Sequence, residues 1–289
     1  MSSRRRLGAI VACVLAAALP AGADARTHRR TSKALAAGGA QVPLWSDEFT
    51  GPAGAAPDPA RWTAELGGNG WGNQELQTYT GAASNAALDG AGRLAITARR
   101  ETVTGADGIA RDFTSARLMT KGHFTFRYGR VEARIRVPAG RGLLAQFWAV
   151  GDDVWTAGWP ESGEIDVMEV LGERPATVVG SLHGPLDGGA PYAAWARSTE
   201  TTASRSLAAG FHTYSAQWSP TSISMALDGR TYATYPRSVV PAAGRWVFDK
   251  PFFLVLDVAV GGVWAGAPDA STPWPATMLV DSVRVYAAR

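Results

Sequence analysis

The sequence predicts an all-β fold, an antiparallel two-sheet β-sandwich of the jelly-roll kind, on three observations. No stretch of a dozen residues sustains a helical apolar period. Short alternating or apolar runs recur instead between Gly, Pro, Asn and Asp. One of these places Asp228-Gly229 between two such runs, the dipeptide of a tight hairpin.

The strands follow in order. Leu94–Ala98 is a short apolar run. His123–Tyr128 and Val131–Val137 alternate cleanly. Ile223–Tyr232 reads as the Asp-Gly hairpin. Phe252–Val260 is almost continuously apolar, as a doubly covered strand should be, and Leu279–Tyr286 closes the chain. No linker or repeat divides residues 41–289, which are expected to form a single domain and to act as a monomer.

What precedes that domain reads differently. Arg4-Arg5-Arg6 is a charged start, Leu7–Leu19 an apolar run, and Ala23-Asp24-Ala25 a small-x-small cleavage site, so residues 1–25 are expected to be an export signal. The run is short for a membrane span, and a secreted, extracellular protein is expected, with no membrane contact once the leader is removed. The arginines also weakly resemble a twin-arginine signal, so the export route stays open. Ile10-Val11-Ala12-Cys13 has the outline of a lipoprotein box, but the apolar run continues past the cysteine. Cys13 is the only cysteine, and cleavage would leave no disulfide and no thiol chemistry. Residues 26–40, polar and basic, are expected to be a disordered linker.

The formal charge of +3 comes from the leader and linker. Residues 1–25 carry three Arg and one Asp, and residues 26–40 three Arg and one Lys, so the body carries −3. A nucleic-acid partner is not expected. All eleven Trp lie in the body, a surplus that suits stacking against the C–H faces of sugars.

The chemistry concentrates in Trp159–Glu169. Glu164, Asp166 and Glu169 interrupt an apolar strand run through Ile165, Val167 and Met168. Period-two alternation puts Glu164 and Asp166 on one face but sends Glu169 into the apolar layer, where an unpaired carboxylate is costly. One extra residue, a β-bulge near Val167-Met168, returns Glu169 to the acid face. Glu164 and Glu169 are then roughly 13 Å apart at Cα. Inward-leaning side chains are compatible with carboxyl groups about 5–5.5 Å apart, the spacing of a retaining glycosidase. Asp166 adds negative charge that helps the acid/base keep its proton. From these residues alone, a solvated acidic edge and a calcium site stay open as alternatives.

A wider set of motifs narrows the reading. Leu44–Phe49, Gly70–Tyr79, Thr114–Leu118, Tyr128–Arg134, the Glu-x-Asp-x-x-Glu stretch after Trp-Pro-x-x-Gly, Phe211–Tyr214, Val260–Trp264 and Val280–Tyr286 together resemble a laminarinase-type member of glycoside hydrolase family 16. The resemblance covers nearly all of residues 44–286. It implies a concanavalin A-like β-jelly roll that cleaves β-glucan, endo on β-1,3 links and sometimes on mixed 1,3-1,4 chains, with no cofactor required for chemistry. It implies Glu164 as nucleophile, Glu169 as general acid/base and Asp166 as their assistant. It places Asn73 and Arg117 in the substrate cleft and His183 near the acid/base.

Trp148, Trp155 and Trp159 surround the acid strand and are candidate stacking platforms, one of them expected to be core, with Trp264 a further substrate-binding candidate. The resemblance also implies a structural calcium on the convex face at Glu48, the carbonyl of Gly92 or Gly90, and Asp281, a donor set of the oxygen type calcium favours. Two stretches depart from the family pattern. Leu144-Ala145 stand where Trp-Pro is usual, with Gln146 at a usually small position. Asp257 replaces an Asn and is expected to bring a negative charge to the cleft. The rival readings are a non-catalytic β-glucan-binding module, which the three retained acids oppose, and a relative acting on another polysaccharide. The body's negative charge weighs against a sulfated one.

Overall fold

The computed structural model describes residues 41–188 and 192–288. The expected export signal over 1–25 and the linker over 26–40 lie outside the described residues. In chain order the strands are β1 (Trp45–Asp47), β2 (Thr63–Ala64), β3 (Gln77–Tyr79), β4 (Ala86–Leu88), β5 (Leu94–Thr104), β6 (Ala110–Ser115), β7 (Arg117–Met119), β8 (Gly129–Arg136) and β9 (Leu143–Gly151). They continue as β10 (Glu164–Leu171), β11 (Thr177–Pro185), β12 (Ala194–Thr202), β13 (His212–Trp218), β14 (Ser222–Leu227), β15 (Arg230–Pro236), β16 (Phe252–Val260) and β17 (Ala276–Tyr286). Helix among the described residues is limited to Val154–Ala157 and a single 3-10 turn, Arg237–Val239.

The strands form two sheets. The larger runs β15-β14-β13-β8-β17-β5-β6-β3, with β1 beside β17 and β4 beside β5. The smaller runs β12-β11-β10-β9-β16-β7-β2. Pairing is antiparallel apart from β3 with β6. The sheets share one apolar layer to which β9 gives Phe147 and Ala149, β16 gives Phe252, Leu254 and Leu256, and β8 gives Val131, Ala133 and Ile135. Each large apolar side chain buried there stabilises the fold by about 1.5–3 kcal/mol. Alternation then turns every second residue of the smaller sheet outward, and that outward face carries the acids.

Two expectations need correcting. His123–Tyr128 is not a strand. The segment crosses from one sheet to the other and touches the smaller sheet through a single bridge between Phe126 and Phe252. Its alternation serves packing instead: Phe124 stacks on Trp45 at 5.1 Å, and Phe126 meets Trp218 edge-on at 5.4 Å. Leu94–Ala98 is only the buried half of β5, whose charged outer half pairs with β6. The Asp-Gly turn lies where expected, with Asp228 at φ 50° and Gly229 at φ 75° joining β14 to β15.

Candidate active site

β10 carries the acids, and its ladder slips once on each side. The register shifts between Asp166 and Met168 against β9, and between Asp166 and Glu169 against β11. Val167 and Met168 both enter the core as a result, 1% and 0% exposed. This is the bulge that the acid spacing required. It leaves Glu164, Asp166 and Glu169 on the outward face.

Cross-strand register then lays the face out in rows. His183, Glu164, Val150 and Phe253 follow one another across β11, β10, β9 and β16. Ser181, Asp166, Trp148 and Val255 form the next row. The third runs Val179, Glu169, Gln146, Asp257 and Arg117, ending on β7.

The three acids are almost wholly shielded from water. Glu164 accepts a hydrogen bond from the Trp159 indole at 3.1 Å, and its other oxygen lies 3.9 Å from His183 Nε2. Asp166 Oδ2 is 3.2 Å from the same imidazole nitrogen but has no aligned hydrogen bond. Ligand atoms of Glu164, Asp166 and His183 all lie within 4.8 Å of one another. Glu169 accepts from Ser181 Oγ at 3.1 Å and from Gln146 Nε2 at 3.5 Å.

Burial is the main cause that pushes all three carboxyls above the ordinary range, and the repulsion of Asp166 adds to it for both glutamates. Glu169 is pushed up to about 8. Within the coupled pair, Glu164 has an indole donor and Asp166 Oδ2 has none. Two carboxyls so close cannot both ionise at modest cost, and one proton is shared across the pair.

The other expected residues divide between floor and rim. Arg117 is buried. Its guanidinium lies between the Trp71 and Trp148 rings, 4.7 Å from each, and 2.8 Å from Glu65. Asp257 does not present a free charge to the cleft. Its oxygens accept from Tyr79 at 2.9 Å and Trp148 at 2.8 Å, and Arg117 stands opposite it in the ladder. Trp148, 2% exposed and tied to Asp257, is the tryptophan that belongs to the floor. Trp159 lies against the nucleophile candidate and His183.

Trp155 is 41% exposed and stacks in parallel on Phe253, with Lys121 above it. Trp264 is half-buried against Leu144, Leu171 and Ala259. Asn73 is buried and braces two loops: its amide donates to Glu75 and accepts from the Val263 N–H.

The calcium expectation meets an obstacle in the donor set. Glu48 accepts two hydrogen bonds from Arg284, at 2.8 and 2.6 Å, and Asp281 pairs with Arg134 at 3.1 Å. Gly92 sits in the turn between β4 and β5. A cation and a guanidinium compete for the same carboxylate lone pairs, so this arrangement does not fit a resident calcium.

Several residues of the floor carried no weight in the sequence reading. Glu75 accepts from Gln77 at 2.7 Å and is pushed up to about 7, mainly by burial and by Asp257. Glu65 had no distinguishing signal, and Gln77 lies in the Gly70–Tyr79 motif without a role of its own assigned there. Ser181 was legible in principle, because period two places it on the face of His183.

The chain is similar in sequence and fold to known proteins. The family model described as glycosyl hydrolases family 16 matches residues 73–280. A protein from Rhodothermus marinus named beta-glucanase is 40% identical over 261 residues, covering 84% of this chain and 84% of its own length. The endo-beta-1,3-glucanase structure from Pyrococcus furiosus is 40% identical with a TM-score of 0.77, covering 86% of this chain and 94% of that one. The laminarinase catalytic domain from Thermotoga maritima is 37% identical, also with a TM-score of 0.77, covering 86% and 99%.

Proposed function

The chain belongs to glycosyl hydrolase family 16, and from that premise we propose that it is a secreted, monomeric endo-β-1,3-glucanase that cleaves laminarin-like β-glucan with retention. The observation that carries the reading is the bulged strand that turns Glu164, Asp166 and Glu169 onto one face of the smaller sheet. The names of the relatives support the β-1,3-glucan substrate. The leader's composition supports export.

The roles follow from the environments. Glu169, held near pKa 8, carries a proton at neutral pH. It gives this proton to the glycosidic oxygen as the bond to the anomeric carbon breaks. Glu164, ionised against the Trp159 N–H, bonds to that carbon and forms the glycosyl-enzyme. Glu169, now a carboxylate, takes a proton from the incoming water as its oxygen displaces Glu164, and both acids return to their starting states. The proton shared between Asp166 and Glu164 can bridge them as a hydrogen bond and stabilise the nucleophile when it leaves. Trp155 and Trp264 are the ring surfaces offered to sugars. Asn73, Arg117, His183 and Asp257 hold the floor and its loops. No step passes through a metal.

Glu164→Gln tests the assignment. Laminarin hydrolysis should fall by about four orders of magnitude, the scale of losing a covalent nucleophile, while the far-ultraviolet spectrum and melting temperature stay near wild type. Near-normal activity would remove Glu164 as nucleophile. Wild-type binding of laminarin without release of reducing ends would favour a binding module. Release from mixed-linkage glucan or agarose alone would keep the chemistry and change the polymer.

A further inference from the structure

Glu169 is gripped from both neighbouring strands. On the β11 side, Ser181 Oγ donates to one carboxylate oxygen at 3.1 Å. On the β9 side, Gln146 Nε2 donates to the other oxygen at 3.5 Å, from the position directly opposite in the ladder. Gln146 is itself buried, and its other cross-strand neighbour is Asp257. Asp257 is already satisfied by Tyr79 and Trp148 and faces Arg117, so the Gln146 amide is left to serve Glu169.

We propose that Gln146 is a positioning residue for the acid/base: its amide holds the Glu169 carboxylate from β9 while Ser181 holds it from β11. The inference rests on the role given to Glu169 above.

An amide N–H stabilises the ionised carboxylate and cannot accept a proton from the neutral acid. Burial and the charge on the Glu164–Asp166 pair drive Glu169 toward its neutral form. His183 opposes that drive, as do Ser181 and Gln146. Tyr232 and Tyr235 of β15 also interact with Glu169, and both stay neutral at working pH, their hydroxyls pushed up by burial. Without Gln146 the carboxyl would hold its proton more tightly. It would still serve as an acid but would serve poorly as the base that releases the glycosyl-enzyme. The same amide fixes which way the carboxyl faces, because a lone Ser hydroxyl permits rotation about the side chain.

Gln146→Met keeps the length of the side chain and removes the donor. Gln146→Ala tests the same loss with a small residue, should the methionine pack badly. Two measurements apply to both variants. The first is the alkaline limb of kcat/KM on laminarin. The second is the titration of the Glu169 carboxyl carbon, observed by NMR in protein carrying labelled Glu and assigned with Glu169→Gln. Loss of so long a hydrogen bond to a charged group is expected to move both upward, by no more than about one pH unit, and kcat should fall more than kcat/KM. A purely packing role would lower the melting temperature and leave both midpoints where they are, and that result overturns the proposal. If wild type hydrolyses no β-glucan, the functional reading fails, and the carboxyl titration still decides whether Gln146 holds Glu169.

Discussion

Glu164 and Asp166 share one imidazole, His183, in surroundings nearly free of water. Two carboxylates so placed cannot both ionise at modest cost. The Trp159 N–H donates to Glu164 and favours its ionised form. Glu169 stands apart from that contest, and its proton has a measurable consequence. The folded carboxyl keeps its proton up to about pH 8, whereas an ordinary glutamate releases it near 4.5. The contribution to stability is therefore complete below about 4.5 and is lost as pH rises through about 8. Glu169→Gln removes the titration. Its melting temperature should exceed that of wild type at pH 8.5, and the gap should close as pH falls toward 4.5. A gap that widens in acid would mean that Glu169 is ionised in the folded protein.

At the scale of the element, β10 performs its task through one surplus residue. Val167 and Met168 are both in the core, and the two sides of the strand change places between Asp166 and Glu169. Deleting Val167 would restore plain alternation with Met168 inward and Glu169 still outward, four strand steps from Glu164 as in the bulged strand. A strand that kept all six residues without the bulge would instead turn Glu169 into the layer of Phe147 and Leu254, where an isolated carboxylate costs several kcal/mol. The deletion variant should therefore still unfold cooperatively and retain laminarin hydrolysis, and a variant that loses cooperative melting would refute this account of the bulge. This element was legible in advance, because the acids' spacing violates alternation and only a bulge repairs it. The hairpin at Asp228-Gly229 was legible for a similar reason, since the dipeptide supplies the positive φ values that a two-residue turn needs. The segment His123–Tyr128 misled, because aromatic side chains wedged between two sheets produce the same alternation as a strand.

Across the whole molecule, the outward face of the smaller sheet is acid-rich, and its buried cation, Arg117, is already matched by Glu65 and Asp257. Such a floor suits a neutral glucan better than a sulfated polymer. Strand β17 of the larger sheet carries two partly exposed arginine–carboxylate pairs, Arg284 with Glu48 and Arg134 with Asp281. Because those pairs occupy the oxygens that calcium would need, EDTA is expected to leave the melting temperature unchanged. A fall on chelation, reversed by added calcium, would show that the ion displaces the arginines.

The sequence by itself determined the two-sheet class, the turn, and the face shared by Glu164, Asp166 and Glu169. These are local properties, set by the period of a strand and by one broken alternation within a few residues. Only the tertiary structure decided what touches those acids and what lies beneath them. Tyr79 meets Asp257 across 178 positions of chain, and Trp148 meets Asp257 across 109. Arg117 is enclosed by two tryptophans far apart in the sequence. Such partners are chosen by the register between strands and by how loops fold back over the sheet, and no periodicity within a single strand encodes that choice.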